Sequence, residues 1–182
     1  MLHPNNSDAL HLQQYLSNLP SLKKSHQQNL GTLTVNSTSG SSIFFSFYEA
    51  QKPRTPIPNT PILIWLQVQG GPVVLERNPG SWNQIFGVVF LDNPIGTGFS
   101  IASRPEEIPR IQHDVAKHIF IAMKEFVGLD KLFENRPIYV TGESYAGKYV
   151  PAFGYYTLKK NEGLPKSRRL NLAGVDIGNW ER

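Results

Sequence analysis

The chain has 182 residues, of which 40% are apolar and 18% charged, with 15 Gly, 14 Pro and no Cys; that composition excludes a collagen, a disulfide-knit mini-protein and a coiled coil. A chain of this length buries about 70% of its unfolded surface, enough for a core without metal or disulfide staples. The net charge of +4 is spread along the sequence, and its densest basic run, Lys166, Arg168 and Arg169 beside Pro165, reads as a solvated loop, so no nucleic-acid partner is expected.

Residues 1–28 are polar, with a weak helical pattern at Leu10, Leu12, Tyr15, Leu16 and Leu19 that stops at Pro20. They are expected to form a loosely attached N-terminal arm ahead of one domain over residues 29–182. The opening residues have neither a basic stretch nor an apolar run, so no secretory signal is read there. The triplets at Asn5 and Asn36 fit the glycosylation sequon, a pattern that arises often by chance. The longest apolar runs have strand length, so no membrane span is expected. The lack of Cys leaves the compartment open.

Leu30–Val35 and Ile43–Tyr48, joined by Gly and small polar residues, predict a β-hairpin. Four prolines between 53 and 61 mark an irregular connection. The unbroken apolar runs 62–66 and 86–91 suit strands buried on both faces. A helix is expected from Ser103-Arg-Pro-Glu106, which has the form of a capping box, through Ile108, Ile111, Val115, Ile119, Ala122 and Phe126 to a stop at Gly128. A third buried strand over 137–141, a helix over about 145–160 and a strand over 170–177 complete the pattern. A hairpin followed by alternating strands and helices implies an α/β fold with a mixed sheet that becomes parallel.

The chemistry concentrates in Gly142-Glu-Ser-Tyr-Ala-Gly147, between the third buried strand and a helix. A nucleophile elbow places serine on a sharp turn that leaves room only for small residues two before and two after it, here Gly142 and Ala146. The alternative is a Gly/Ser turn that merely satisfies a helix N-terminus. At an elbow the backbone N–H of Tyr145 serves as one oxyanion donor, and the second comes from a loop after an earlier strand. Gly70-Gly71-Pro72 is placed for that, or is a plain turn.

Four collinear segments carry a resemblance: Trp65-Leu-Gln67 with Gly70-Gly-Pro72; Asn78-Pro-Gly-Ser-Trp-Asn83; Phe90-Leu-Asp-Asn-Pro-Ile-Gly-Thr-Gly-Phe-Ser100; and Gly142 through Pro151, closing with Ile177-Gly-Asn179. From about Gly31 to Asn179 the chain is similar to the serine carboxypeptidase-like family, and to its plant members in particular. The resemblance implies an α/β-hydrolase fold, no metal or cofactor, and removal of C-terminal residues from peptides, or acyl transfer from esters in some plant members. It also implies a secreted or vacuolar setting. By position, Ser144 resembles the nucleophile, Tyr145 and Gly71 the oxyanion donors, Glu143 the acid that binds the substrate's terminal carboxylate, and Gln67 or Gln69 the amide that partners it. A Glu beside a carboxylate requires that one of the two hold a proton, which suits acidic working pH. The bland reading of Glu143 is a surface acid at a helix N-terminus.

The family's Gly-Cys-Ser-Ser continuation is absent, and Val68-Gln69 intervenes before Gly70. In this fold the triad runs Ser, acid, His, yet no histidine follows Ser144; the five lie at 3, 11, 26, 113 and 118. Asp176 has no base to orient. The expectation is therefore an N-terminal half of the fold, cut before the lid, the last strands and the triad Asp and His, and inactive by itself. Leu170–Ile177 would then form an open sheet edge that invites association, either with a complementing chain or with a binding partner.

Overall fold

The computed structural model describes residues 28–66 and 78–178. Residues 1–27, most of the expected arm, lie outside that range, as do Gln67, Gln69, Gly70, Gly71 and Pro72.

The described residues form a six-stranded sheet with order β1-β2-β4-β3-β5-β6. Its strands are β1 (Gln28–Asn36), β2 (Ser41–Tyr48), β3 (Ile62–Leu66), β4 (Gly87–Leu91), β5 (Ile138–Glu143) and β6 (Leu172–Gly178). β1, β2 and β4 pair antiparallel, whereas β4, β3, β5 and β6 are parallel neighbours. The expected hairpin and the mixed sheet that turns parallel are both present. The hairpin closes at Gly40, whose φ of +83° favours glycine, with its N–H donating to the Asn36 carbonyl at 2.8 Å.

Two helices, α1 (Gln112–Gly128) and α2 (Ala146–Glu162), pack on each other and on one face of the sheet. The core lies there. Ile64, Val89 and Val140 from the central strands meet Ile119, Met123 and Phe126 of α1 and Val150 and Phe153 of α2, all fully buried. Burial of one such side chain contributes about 1.5–3 kcal/mol.

Two sequence expectations need correction. β3 and β4 are not buried equally on both faces: Ile62, Ile64 and Leu66 are fully enclosed, Leu63 and Trp65 only partly, and Phe90 of β4 is 41% exposed. Both described helices cover the same face, so the second face carries an aromatic layer in which Trp65 contacts Trp82 at 4.9 Å and Phe90 contacts Tyr48 at 5.9 Å. An unbroken apolar run does not reveal which of its faces is covered.

The helix predicted from Ser103 begins nine residues later, at Gln112, after a single 3-10 turn at Pro105–Glu107. Pro109 disfavours helical backbone at Ile108, which is extended (φ −64°, ψ 117°). Ser103 caps nothing: its N–H donates to Ser41 Oγ at 2.9 Å. Glu107 reaches the hairpin, where its carboxylate accepts from Ser41 Oγ, from Ser39 Oγ at 2.7 Å and from Arg104 Nε at 2.9 Å. These hydrogen bonds, that of Ser41 foremost, hold its pKa down at about 2.

At the far end of the sheet Arg136 is fully buried, with a two-pronged ion pair to Glu49 at 2.8 and 3.0 Å and a bond from Nε to the Thr60 carbonyl at 2.6 Å. The guanidinium is thus satisfied by partners from two other segments, as a buried charge must be.

Candidate active site

Parallel strands gather functional groups at their carboxyl ends, and three neighbouring strands do so here. Leu66 ends β3, Asn93 follows β4, and Glu143 ends β5 immediately before Ser144. With Tyr145, Ala146 and Tyr149 from the start of α2 they line a pocket of about 180 Å³. A water's share of liquid volume is roughly 30 Å³, so the pocket has room for a carboxyl group and a few further atoms.

Ser144 stands at the turn from β5 to α2 and has φ +58°, the one described non-glycine residue in the left-handed region. That conformation costs an ordinary residue about 1–2 kcal/mol. Serine holds it because the turn is fixed on both sides: Ser144 N–H donates to the Gly178 carbonyl at 3.4 Å, and Gly147 N–H donates to the Ser144 carbonyl at 2.9 Å. The requirement for small neighbours is visible atom by atom. A Cβ on Gly142 would lie 2.5 Å from the Leu66 carbonyl oxygen and closer still to Ala146 Cβ. Ala146 is itself buried. The elbow thus rests on β3 below and on the first turn of α2 above.

The Tyr145 N–H donates to no backbone oxygen among the described residues, as expected at a helix N-terminus, where the first N–H groups lack intrahelical acceptors. The Tyr145 ring is 55% exposed, 5.2 Å from the Tyr149 ring, with Lys148 Nζ 4.8 Å from its centre. Burial, with a smaller contribution from Tyr145, raises the pKa of the Tyr149 phenol. Glu143 is partly buried and faces the pocket. Gly71 and Gln67 lie outside the described residues.

Among the described residues no histidine lines the pocket. His113 and His118 sit on α1, the first packed on Tyr156 at 5.3 Å, the second with a pKa lowered mainly by burial. Among the described residues no side chain accepts a hydrogen bond from Ser144 Oγ, and no group of His, Cys, Asp or Glu could hold a metal ion. Asp176, on β6 opposite Thr141, does not line the pocket either. No described helix is long and apolar enough to cross a membrane.

Leu66, Asn93 and Tyr149 line the pocket without having been singled out from the sequence. The signal that could have found Asn93 is its place just past the end of a buried strand that precedes a glycine-rich loop. That loop is tied back to the strand end. Phe99 N–H donates to Asp92 Oδ2 at 2.8 Å, and Ser100 Oγ donates to the Asp92 carbonyl at 2.6 Å. Burial raises the Asp92 pKa, an effect the Phe99 bond partly offsets.

Comparison with known proteins gives concordant matches. The family model described as serine carboxypeptidase matches residues 73–180. Serine carboxypeptidase-like 50 of Arabidopsis thaliana is 51% identical over 170 residues, an alignment covering 82% of this chain and 37% of that protein. A probable serine carboxypeptidase of Homo sapiens, CPVL, is 34% identical over 167 residues, covering 81% and 34%. Among solved structures, Kex1Δp, a prohormone-processing carboxypeptidase of Saccharomyces cerevisiae, superposes with a TM-score of 0.72 at 25% identity, covering 91% of this chain and 41% of that one. The chain therefore spans between 34% and 41% of the length of these three proteins.

Proposed function

The chain belongs to the serine carboxypeptidase family and has its α/β-hydrolase fold; on that premise we propose that it is the nucleophile-bearing part of a serine-type carboxypeptidase, with Ser144 as nucleophile, and that these 182 residues alone do not turn over a peptide. The observation that carries the reading is Ser144 itself, held at φ +58° on a turn where Gly142 has no space for a side chain, opening onto a pocket it shares with Glu143.

In the reaction proposed, Ser144 Oγ attacks the last peptide carbonyl of the substrate. The oxyanion that forms accepts from the Tyr145 N–H and from a second donor, assigned by resemblance to Gly71. Glu143 receives the substrate's terminal carboxyl, with one proton shared between the two acids, and Gln67 is the amide assigned by resemblance to partner it. The C–N bond then breaks, the terminal amino acid leaves with a proton on its nitrogen, and the acyl group held on Ser144 Oγ passes to water; if the chain follows the acyltransferase members, an ester replaces the peptide, its alcohol leaves, and the acyl group passes to another alcohol. Either outcome needs a base to take the serine proton, and serine without one is a weak nucleophile. Neither described histidine faces the pocket, and loss of a triad base costs several orders of magnitude in rate. The same fact favours a second reading, in which the chain binds peptide ends without cleaving them.

The test is complementation. The chain should react with a fluorophosphonate probe no faster than a urea-denatured control, and should release no phenylalanine from N-benzoyl-Gly-Phe. Co-refolded with the C-terminal portion of the Arabidopsis relative, it should gain turnover that Ser144→Ala abolishes. Efficient labelling of the lone chain would refute its inactivity. Complementation that yields no turnover, or turnover indifferent to Ser144→Ala, would refute the hydrolase reading.

A further inference from the structure

The nucleophile pocket contains a polar side chain that nothing so far has used. Asn93 is 5% exposed, and both polar atoms of its amide are buried without a hydrogen-bond partner. Buried amides are almost always paired, and an unpaired buried polar atom carries its desolvation cost with nothing to offset it. The other orphans among the described residues are lone atoms, on Gln112, His118, Thr141 and Thr157, none of which lines the pocket. Among the described residues Asn93 is thus the one side chain with two unpaired buried polar atoms, and it stands at the wall shared by Glu143 and Ser144. Leu66 and Ala146 beside it are apolar, the neighbouring Asp92 is engaged with Phe99, and neither Glu143 nor Ser144 hydrogen-bonds to it.

The chemistry of the pair Asn93 and Glu143 narrows the ligand. An amide presents two N–H donors and one carbonyl acceptor, whereas a carboxylate presents acceptors only. A ligand carboxylate placed between them takes a hydrogen bond from Asn93 Nδ2 on one oxygen and shares a proton with Glu143 on the other. A neutral amide at the same place offers Asn93 Nδ2 only an uncharged carbonyl oxygen, and a hydrogen bond to an ionised acceptor is roughly twice as strong. The space of about 180 Å³ accepts such a terminal group.

We infer that Asn93 is a specificity-determining residue whose side-chain amide donates a hydrogen bond to the terminal carboxylate of a peptide seated against Ser144. The inference rests on the function proposed above and adds to it a donor from the loop after β4. The unpaired amide is then a binding group held ready in the ligand-free state, with its desolvation already met by folding rather than by binding.

The test is calorimetric titration of the full chain at pH 5 with N-benzoyl-Gly-Phe and with its C-terminal amide, which needs no turnover. The wild-type chain should bind the acid about tenfold more tightly than the amide. Asn93→Ala and the near-isosteric Asn93→Leu should bring that ratio close to one by weakening the acid alone, with melting temperatures at or above the wild-type value, since no hydrogen bond is lost in the free protein. A ratio unchanged in both variants while the wild type discriminates would overturn the role of Asn93 and leave the proposed function standing. A drop in melting temperature with an unchanged ratio would make Asn93 structural and overturn it equally. Failure of the wild type to bind either compound would overturn the proposed function and this inference together.

Discussion

Gly142→Ala adds one methyl group at the most confined point of the elbow. The new Cβ would lie 2.5 Å from the Leu66 carbonyl oxygen, where ordinary contact begins at 3.4 Å, so backbone must move by roughly 0.9 Å. Ala146 Cβ is closer still and lies on the first turn of α2. Neither neighbour is the end of a flexible side chain. β3 is locked to β5 in parallel register from Ile62 to Leu66, and the Ala146 side sits on the buried core. Overpacking of this kind costs about 2–3 kcal/mol. For a chain of this size each kcal/mol moves the midpoint by about 2–4 °C, so thermal unfolding followed by far-UV circular dichroism should fall by roughly 5–10 °C. Gly128→Ala supplies the internal contrast: it closes α1, and its Cβ would meet nothing within 4 Å. There the lower unfolded-state entropy of alanine should raise stability by about 0.5–1 kcal/mol. If Gly142→Ala melts within 2 °C of the wild type, the steric account of the elbow is wrong.

Two further outcomes follow from the same coordinates. Ser144→Ala keeps the left-handed backbone and should leave stability within about 0.5 kcal/mol, whereas Ser144→Gly relieves it and should be about 1 kcal/mol more stable than the alanine variant; equal midpoints in urea would refute the strain at Ser144. Glu107, held at about 2 against an ordinary 4.5, binds fewer protons folded than unfolded between those values. Its stabilising contribution is complete above pH 4.5 and disappears as pH falls towards 2. Glu107→Gln should flatten the stability profile across that window, and a profile parallel to the wild type would count against the Glu107 bonds to the hairpin.

What could be read from the sequence was local. Period and punctuation located the hairpin, the strands and the helix end at Gly128, because each depends on neighbours within a few residues. The elbow string was legible for the same reason, since Gly142, Ser144 and Ala146 meet within one turn. Where the reading of the 103–111 segment went astray, two local signals competed. A capping-box pattern at Ser103 was outweighed by Pro109, and Ser103, the residue that would have capped a helix, instead donates its N–H to Ser41 of the hairpin, 62 positions earlier, beside the bond between Glu107 and the same serine. Arg136 gave no sign of burial, because its partners Glu49 and Thr60 lie 87 and 76 residues away. Asn93 was legible only as part of a motif. Its enclosure beside Glu143 and Ser144 exists because the strand order places β4 and β5 on either side of β3. The sequence by itself determined most of the elements and the sharp serine turn at Ser144, which short-range sterics dictate. Tertiary structure decided which apolar faces are covered and which polar groups share a pocket, because those depend on contacts that form only when distant segments are brought into register.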